Sequence, residues 1–322
     1  MRFLTFTAAI MALAAGAAAQ QPAPEQLPEG EIPTISVEVD LVNILCSVRD
    51  KNGGLVSTLT KDDFILKEDG VAQEIKYFAR DTDLPLTIGL LVDVSKSQEN
   101  LIEVERQAAY RFFAEVLRPK DLAFLMSFGT DSELLQDLTG SPELLRRGLA
   151  DLRLNAAVGG VMPGPIPTRN RPGTVLYDAV YLAAEDMLKG EVGRKVIAVI
   201  SDGFDVGSRV TIDRAVEAAQ KSDVIIYGIY YADPRYQQFG SGYGKLKDMA
   251  EETGGRVFRV SRKNTLERVF QEIQDEMRSQ YALGYTPSNP EKDGSFRQIR
   301  VETKQKGLKV QARNGYYASR RR

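Results

Sequence analysis

Between residues 84 and 280 the sequence alternates short, nearly all-apolar runs with amphipathic stretches, and this restricts the fold more than any other feature. Residues 86–94 form an almost unbroken apolar run. A strand of that kind suits a sheet covered on both faces. A helix follows, with Ala108/Ala109, Phe112/Phe113 and Val116/Leu117 at helical spacing. Residues 122–128, 195–200, 224–230 and 256–260 repeat the strand pattern. Ser141 and Pro142 mark a helix start, with Leu144, Leu145, Leu149 and Leu152 on one face. Residues 174–188 read as a helix with Leu176, Val180, Ala183 and Met187 as its stripe. Further helices fall at 212–219, at 245–252 before Gly254-Gly255, and around Leu266, Val269, Phe270, Ile273 and Met277. Strand–helix alternation of this kind predicts a mostly parallel sheet with helices on both faces.

The flanks read as β. Val37, Val39 and Leu41 alternate, and the parity then switches to Val42, Ile44, Cys46 and Val48. The switch predicts a bulge near residues 41–43, and Cys46 falls on the apolar parity as a buried structural thiol. Asn52-Gly53-Gly54 is a turn, and residues 64–67 and 72–78 are two strands around Asp69-Gly70. After residue 280, Tyr281/Leu283/Tyr285, Ile299/Val301 and Leu308/Val310 alternate again. Each flank has too few strands to stand alone. The expectation is one small β-sandwich, formed by both flanks where the chain enters and leaves the α/β domain.

Residues 1–19 have a charged start at Arg2, an apolar centre and Ala17-Ala18-Ala19 before Gln20, the pattern of a cleaved secretory signal. Pro22, Pro24, Pro28 and Pro33 make residues 20–34 an extended linker. The expected organisation is therefore signal 1–19, linker 20–34, β segment 35–81, α/β domain 82–280 and β segment 281–322. The expected location is secreted or periplasmic, with no integral membrane segment after cleavage.

Composition then narrows the chemistry. The 322 residues include no His and one Cys. An intramolecular disulfide, a Cys/His zinc site and His-based nucleophilic catalysis are excluded. A net charge of −2 gives no basic footprint for nucleic acid, and the Gly-rich phosphate loop of nucleotide hydrolases is missing. A metal here is held by oxygen. Asp93, Ser95 and Ser97 follow the first apolar strand, Asp202-Gly203 follows another, and Thr174 lies at a helix start between them. In open α/β sheets ligands bind at the carboxyl ends of strands. Two carboxylates and three hydroxyls suit a hard divalent cation, Mg²⁺ before Mn²⁺ or Ca²⁺.

The run Asp93-Val94-Ser95-Lys96-Ser97, a later lone Thr, and Asp-Gly after an apolar strand resemble the metal-ion-dependent adhesion site (MIDAS) of von Willebrand factor type A (VWA) domains. The flanks, with "LTKDDF", "LKEDG" and "YALGYTPSNPEKDGSFRQIRV", resemble secreted VWFA-related proteins of acidobacteria. The resemblance implies a doubly wound, mostly parallel six-stranded, Rossmann-like sheet with its first and fourth strands adjacent. It implies Ser95 and Ser97 as direct ligands, Thr174 as a direct or water-mediated one, and Asp93 and Asp202 acting mostly through water. One position stays open for an Asp or Glu carboxylate of a protein partner. Lys96 and Gln98 stand where many members carry Gly and Met; an ammonium there either weakens the cation or helps hold an acidic partner.

Other features carry two readings each. Asp205 is a solvated loop carboxylate or an auxiliary ligand, and Asp178 bonds within its helix. The Gly/Pro-rich loop 153–173 shapes partner choice or is a surface insertion. Tyr230, Tyr231, Tyr236, Phe239 and Tyr243 add contact surface or pack locally. The expected function is a metal-dependent, adhesion-type binding module and not an enzyme, against the alternatives of a metal-dependent hydrolase or an envelope subunit with a structural ion.

Overall fold

The structure is a computed structural model, and it describes residues 41–80, 84–154, 173–235 and 242–318. The signal and linker, the parity switch before Leu41, most of the 153–173 loop, Tyr236 and Phe239 lie outside the described residues. The chain opens with β1 (Val42–Arg49), β2 (Phe64–Glu68), β3 (Val71–Gln73) and β4 (Tyr77–Arg80). The α/β part follows as β5 (Leu86–Asp93), α1 (Ile102–Val116), β6 (Leu122–Phe128), β7 (Ser132–Thr139), α2 (Pro142–Ala150) and α3 (Leu176–Leu182). It continues through β8 (Arg194–Ser201), α4 (Ile212–Lys221), β9 (Val224–Tyr230), α5 (Tyr243–Thr253), β10 (Val257–Arg259) and α6 (Leu266–Arg278). The chain then returns to strands: β11 (Tyr281–Tyr285), β12 (Phe296–Thr303), β13 (Lys309–Ala312) and β14 (Gly315–Tyr317).

The central sheet has six strands in the order β10-β9-β8-β5-β6-β7. All its pairings are parallel except β6 with β7. Every residue of β5 and β8 is buried, as a strand covered on both faces requires. Leu86, Ile88, Leu90 and Val92 pack with α1, α2 and α6. Leu91, Ile197 and Val199 face the other way, toward α3, α4 and α5. A Cβ on Gly89 would stand 2.2 Å from the Phe124 ring, so only Gly lets that ring cross β5.

The flanks interleave. One antiparallel sheet runs β13-β1-β11-β4 and the other β14-β12-β2-β3. Each sheet takes two strands from before the α/β part and two from after it. Ile44, Cys46 and Val48 meet Phe64, Leu66, Tyr281, Leu283 and Ile299 in a shared core. This is the sandwich expected from the sequence. Burial pushes the Cys46 thiol up to about 12.

Several local expectations are corrected. Residues 72–78 are not one strand. Asp69 and Gly70 turn the chain with positive φ, β3 ends at Gln73, and Ile75 drops into the sandwich core as the chain crosses to β4 in the opposite sheet. No bulge interrupts β1 from Val42 onward, where its register with β11 is regular. Strand β7 carries no apolar alternation because it is an edge strand with half-exposed residues. Leu144 is 39% exposed and leaves the α2 stripe to Leu145 and Leu149. Thr174 precedes its helix, which begins at Leu176 and closes in a π-helical turn, Ala183–Leu188.

A buried carboxylate fastens the sandwich to the α/β part. Glu276 of α6 is fully buried. It accepts from Arg49 Nη2 (2.5 Å) and Ser47 Oγ (3.1 Å) of β1, and from Arg256 Nε (2.8 Å) before β10. Removing one member of a buried pair leaves the others uncompensated. Glu276→Ala is therefore expected to lower unfolding free energy by about 3 kcal/mol or more. Glu185→Gln, which loses only the exposed pair with Lys189, changes it by about 0.5 kcal/mol or less. Urea denaturation of both variants decides the point, and equal effects would refute a special role for Glu276.

Candidate functional site

Strand order places the site. From β5 the chain builds outward through β6 and β7, then returns to pair β8 with the opposite edge of β5 and builds away through β9 and β10. The connections leave the carboxyl ends of β5 and β8 in opposite directions, which opens a crevice between them. Asp93 ends β5, and Asp202 directly follows β8. The two strands pair in register up to Val92 and Ile200, so the carboxylates meet at one edge.

Each side chain is locally held. Asp93 is fully buried. Its Oδ1 accepts from Ser95 N (2.9 Å) and its Oδ2 from Ser201 Oγ (2.7 Å). Ser201 Oγ in turn accepts from Gly203 N (2.9 Å). Burial first, and then the charge of Asp202, push the Asp93 carboxyl up to about 7. Asp202 is 5% exposed, and its Oδ1 accepts from Phe204 N (3.2 Å). Gly203 has φ +79°, and a Cβ there would lie 2.4 Å from the Gly242 carbonyl oxygen, so Asp202 must be followed by Gly.

Ser95 Oγ and Ser97 Oγ lie 3.0 Å apart at the start of a 3₁₀ turn, Lys96–Gln98. Lys96 between them is exposed. Thr174 is fixed by its backbone, through a two-way bridge with Val206 (3.0 and 2.9 Å). Val175 N donates to Gly129 O (2.8 Å) just after β6. Thr174 therefore borders both the end of β6 and the loop after Asp202. Asp93, Ser95, Ser97 and Asp202 gather at the crevice, with Thr174 on its rim.

Sequence reasoning missed part of this framework. Ser201 holds Asp93, yet it reads in sequence as one more strand-end hydroxyl. Gln98 Nε2 donates to Tyr231 O (3.2 Å) and Asn100 Nδ2 to Asp233 Oδ2 (2.7 Å), which ties the serine turn to the segment after β9. Asp178 bonds across the fold, accepting from Arg209 N (2.8 Å) and Val210 N (2.9 Å). Asp205 accepts from Tyr177 N (3.1 Å) at the start of α3 and from Ser208 Oγ (2.5 Å). Both carboxylates shape the loop after β8. Tyr230 packs edge-on against Tyr243 (5.5 Å between ring centres), so these two rings serve local packing. Glu105 of α1 is also fully buried, and its carboxyl is raised well above the ordinary range by burial and then by Asp93.

The donor set is oxygen alone. Among the described residues no group of three or more His, Cys, Asp or Glu side chains could hold a metal. The two carboxylates with neighbouring hydroxyls nonetheless fit a hard cation. A buried carboxyl raised by a like charge gains when positive charge is supplied, and hydroxyl oxygens complete such a set. Among the described residues no helix is long and apolar enough to cross a membrane.

No family model and no curated protein matches the sequence. Solved structures align to about three fifths of it. BatB from Bacteroides thetaiotaomicron is 19% identical, with 60% of this chain and 100% of that chain covered and a TM-score of 0.43. The SpRpn10 VWA domain is 16% identical over 59% of this chain and 95% of that chain, with a TM-score of 0.43. Proximal thread matrix protein 1 from the mussel byssus is 15% identical over 66% of this chain and 51% of that chain, with a TM-score of 0.48. None of the three reaches 0.5, and no residue role or activity passes from them to this chain.

Ser201→Ala strips the buried Asp93 Oδ2 and Gly203 N of their shared partner. In EDTA it is expected to cost about 1–3 kcal/mol of stability. Ser97→Ala, at a half-buried position bonded only to Ser95 Oγ, is expected to cost about 0.5 kcal/mol or less. Thermal denaturation of the two variants tests the division between a supporting hydroxyl and an available one; the reverse order would overturn it.

Proposed function

We propose that this chain is an exported, VWA-type binding module that captures an acidic group of a protein partner through a divalent cation. Asp93, Ser95, Ser97, Thr174 and Asp202 would hold the cation, Mg²⁺ by preference. The observation that carries the reading is the meeting of two nearly inaccessible carboxylates at the switch point, beside a pair of hydroxyls. When bound, such a cation supplies an electrophilic centre that two carboxylates do not saturate, and a third carboxylate from outside can complete it.

The chain's own residues prepare that centre. Ser201 and Ser95 N fix both oxygens of Asp93. Gly203 turns the backbone sharply after Asp202. Gln98 and Asn100 anchor the serine turn against the segment after β9. Lys96, exposed between the two serines, adds positive charge where an acidic partner would arrive. The sequence resemblance to VWA domains supports the same reading, and the signal-like first 19 residues support export to the periplasm or exterior.

The direct test is Mn²⁺ titration of the full chain by calorimetry, together with recovery of envelope proteins with and without EDTA. Wild type is expected to bind roughly one Mn²⁺. Asp202→Ala and Ser97→Ala are each expected to weaken binding about tenfold or more, and EDTA to remove specific partners from the recovered set. Absence of Mn²⁺ binding by wild type would sink the proposal. Mn²⁺ binding with a recovered set insensitive to EDTA would reduce the ion to a structural one.

A further inference from the structure

A second site lies well away in the fold, where the sandwich meets the end of α6. A cavity of about 710 Å³ opens there, lined by Ser57, Phe78, Arg80, Arg278, Ser279 and Tyr281. Its volume is within the range of small-molecule sites. Two arginines stand in its wall. Arginines elsewhere in the described residues commonly meet carboxylates, as Arg49 and Arg256 meet Glu276 and Arg297 meets Glu68. Among the described residues neither of the two in this wall meets a carboxylate. Arg80 Nη1 lies 3.5 Å from Ser57 O. The Arg278 guanidinium faces the Gln274 side-chain amide, whose oxygen accepts from it once the amide is turned end for end. The carbonyl of Met277 at the end of α6 is already covered by Arg194 Nη1 (2.5 Å).

Beside the two guanidiniums stand flat apolar surfaces. Phe78 and Tyr281 pack at 5.8 Å between ring centres, with Phe64 behind them at 5.9 and 5.1 Å. The Tyr281 hydroxyl is engaged: it donates to Val56 O (2.8 Å) and accepts from Leu59 N (3.0 Å). Tyr281 is 1% exposed, so its ring is fixed in the sandwich core and backs the half-buried ring of Phe78. Arg80 also acts on Tyr281 electrostatically, drawing its hydroxyl down against the rise caused by burial.

We propose that this cavity binds a small organic anion, a carboxylate or sulfate joined to a flat apolar group. Arginine is suited to such oxyanions because its planar fork donates two parallel bonds. Ser57 and Ser279 add hydroxyl donors at the mouth, and the half-buried Phe78 ring, backed by Tyr281, receives the apolar part. Two guanidiniums that meet no carboxylate among the described residues gain more from an arriving anion than arginines already paired with carboxylates.

The site is independent of the divalent-cation crevice, so it is tested in EDTA on the full chain. The probes are N-acetyl-phenylalanine, sodium sulfate and benzyl alcohol, titrated by calorimetry with protein-observed NMR. N-acetyl-phenylalanine is expected to bind saturably and sulfate more weakly. Benzyl alcohol, which keeps the ring and lacks the charge, is not expected to bind. Arg80→Gln and Arg278→Gln are each expected to weaken N-acetyl-phenylalanine about tenfold, while Arg80→Lys keeps part of the affinity. Unchanged circular dichroism and melting temperature check the fold of each variant. No saturable binding of either anion to wild type, or wild-type affinity in both glutamine variants, overturns the proposal.

Discussion

The parallel pairing of β5 with β8 is the contact on which the candidate site depends. Both strands are buried along their whole length, and they feed apolar side chains to cores on both faces of the sheet. Each fully buried Leu, Ile or Val contributes about 1.5–3 kcal/mol, so these two strands are among the most firmly placed parts of the chain. The order in which strands are added reverses between them, with β5 leading to β6 on one side and β8 to β9 on the other. The apolar core therefore does the work of holding two acidic side chains together in a place that water hardly reaches. The same burial that fixes Asp93 raises its carboxyl to about 7.

Buried charge also organises the junction with the sandwich. Glu276 takes bonds from β1 and from the approach to β10. Within the sandwich, Glu68 of β2 plays a similar part: it accepts from Arg297 Nη1 (3.2 Å), Tyr285 OH (2.5 Å) and Tyr316 OH (3.0 Å). The partners of Glu68 all come from strands on the far side of the α/β part in sequence. An isolated buried pair adds little net stability, because desolvation offsets attraction. Both carboxylates accept from donors far away in sequence. Each sandwich sheet combines strands from opposite ends of the chain, where a one-residue slip would turn the core faces outward.

The fold was legible wherever one physical signal dominated. Residues 122–128, apart from Ser127, and 224–230 are apolar runs, and they are strands β6 and β9 with those bounds. The 3.6-residue stripe of α6 predicts its buried apolar set, Leu266, Val269, Phe270, Ile273 and Met277, though not the buried Gln274 and Glu276. Strand β7 was invisible because an edge strand with Glu133, Gln136 and Asp137 has no buried face to impose alternation. The crossing at Glu74-Ile75-Lys76 was hidden for the opposite reason: Val71 to Phe78 alternates well enough for one strand, and only the second sheet shows that the chain leaves β3 for β4. At the site, Asp93 and Asp202 could be read from strand ends. The roles of Ser201, Asp178 and Asn100 could not, since each acts on a partner at least 31 residues away.

That framework bears on what the crevice can do. Hydrolysis by a serine hydroxyl needs a base free to take its proton. The chain has no imidazole to serve as one. Asp93 already has both oxygens engaged by Ser95 N and Ser201 Oγ, and it is closed off from solvent. Asp202 is turned in part toward Phe204 N. Glu105 lies fully buried within α1, raised toward its neutral form. Under the proposed function these carboxyls would share charge with a cation instead of exchanging protons with a substrate. The acidic and hydroxyl oxygens, beside an exposed Lys96, would then take a cation first and an anion second. The bonds of Ser201, Gln98 and Asn100 give that proposed grip its framework.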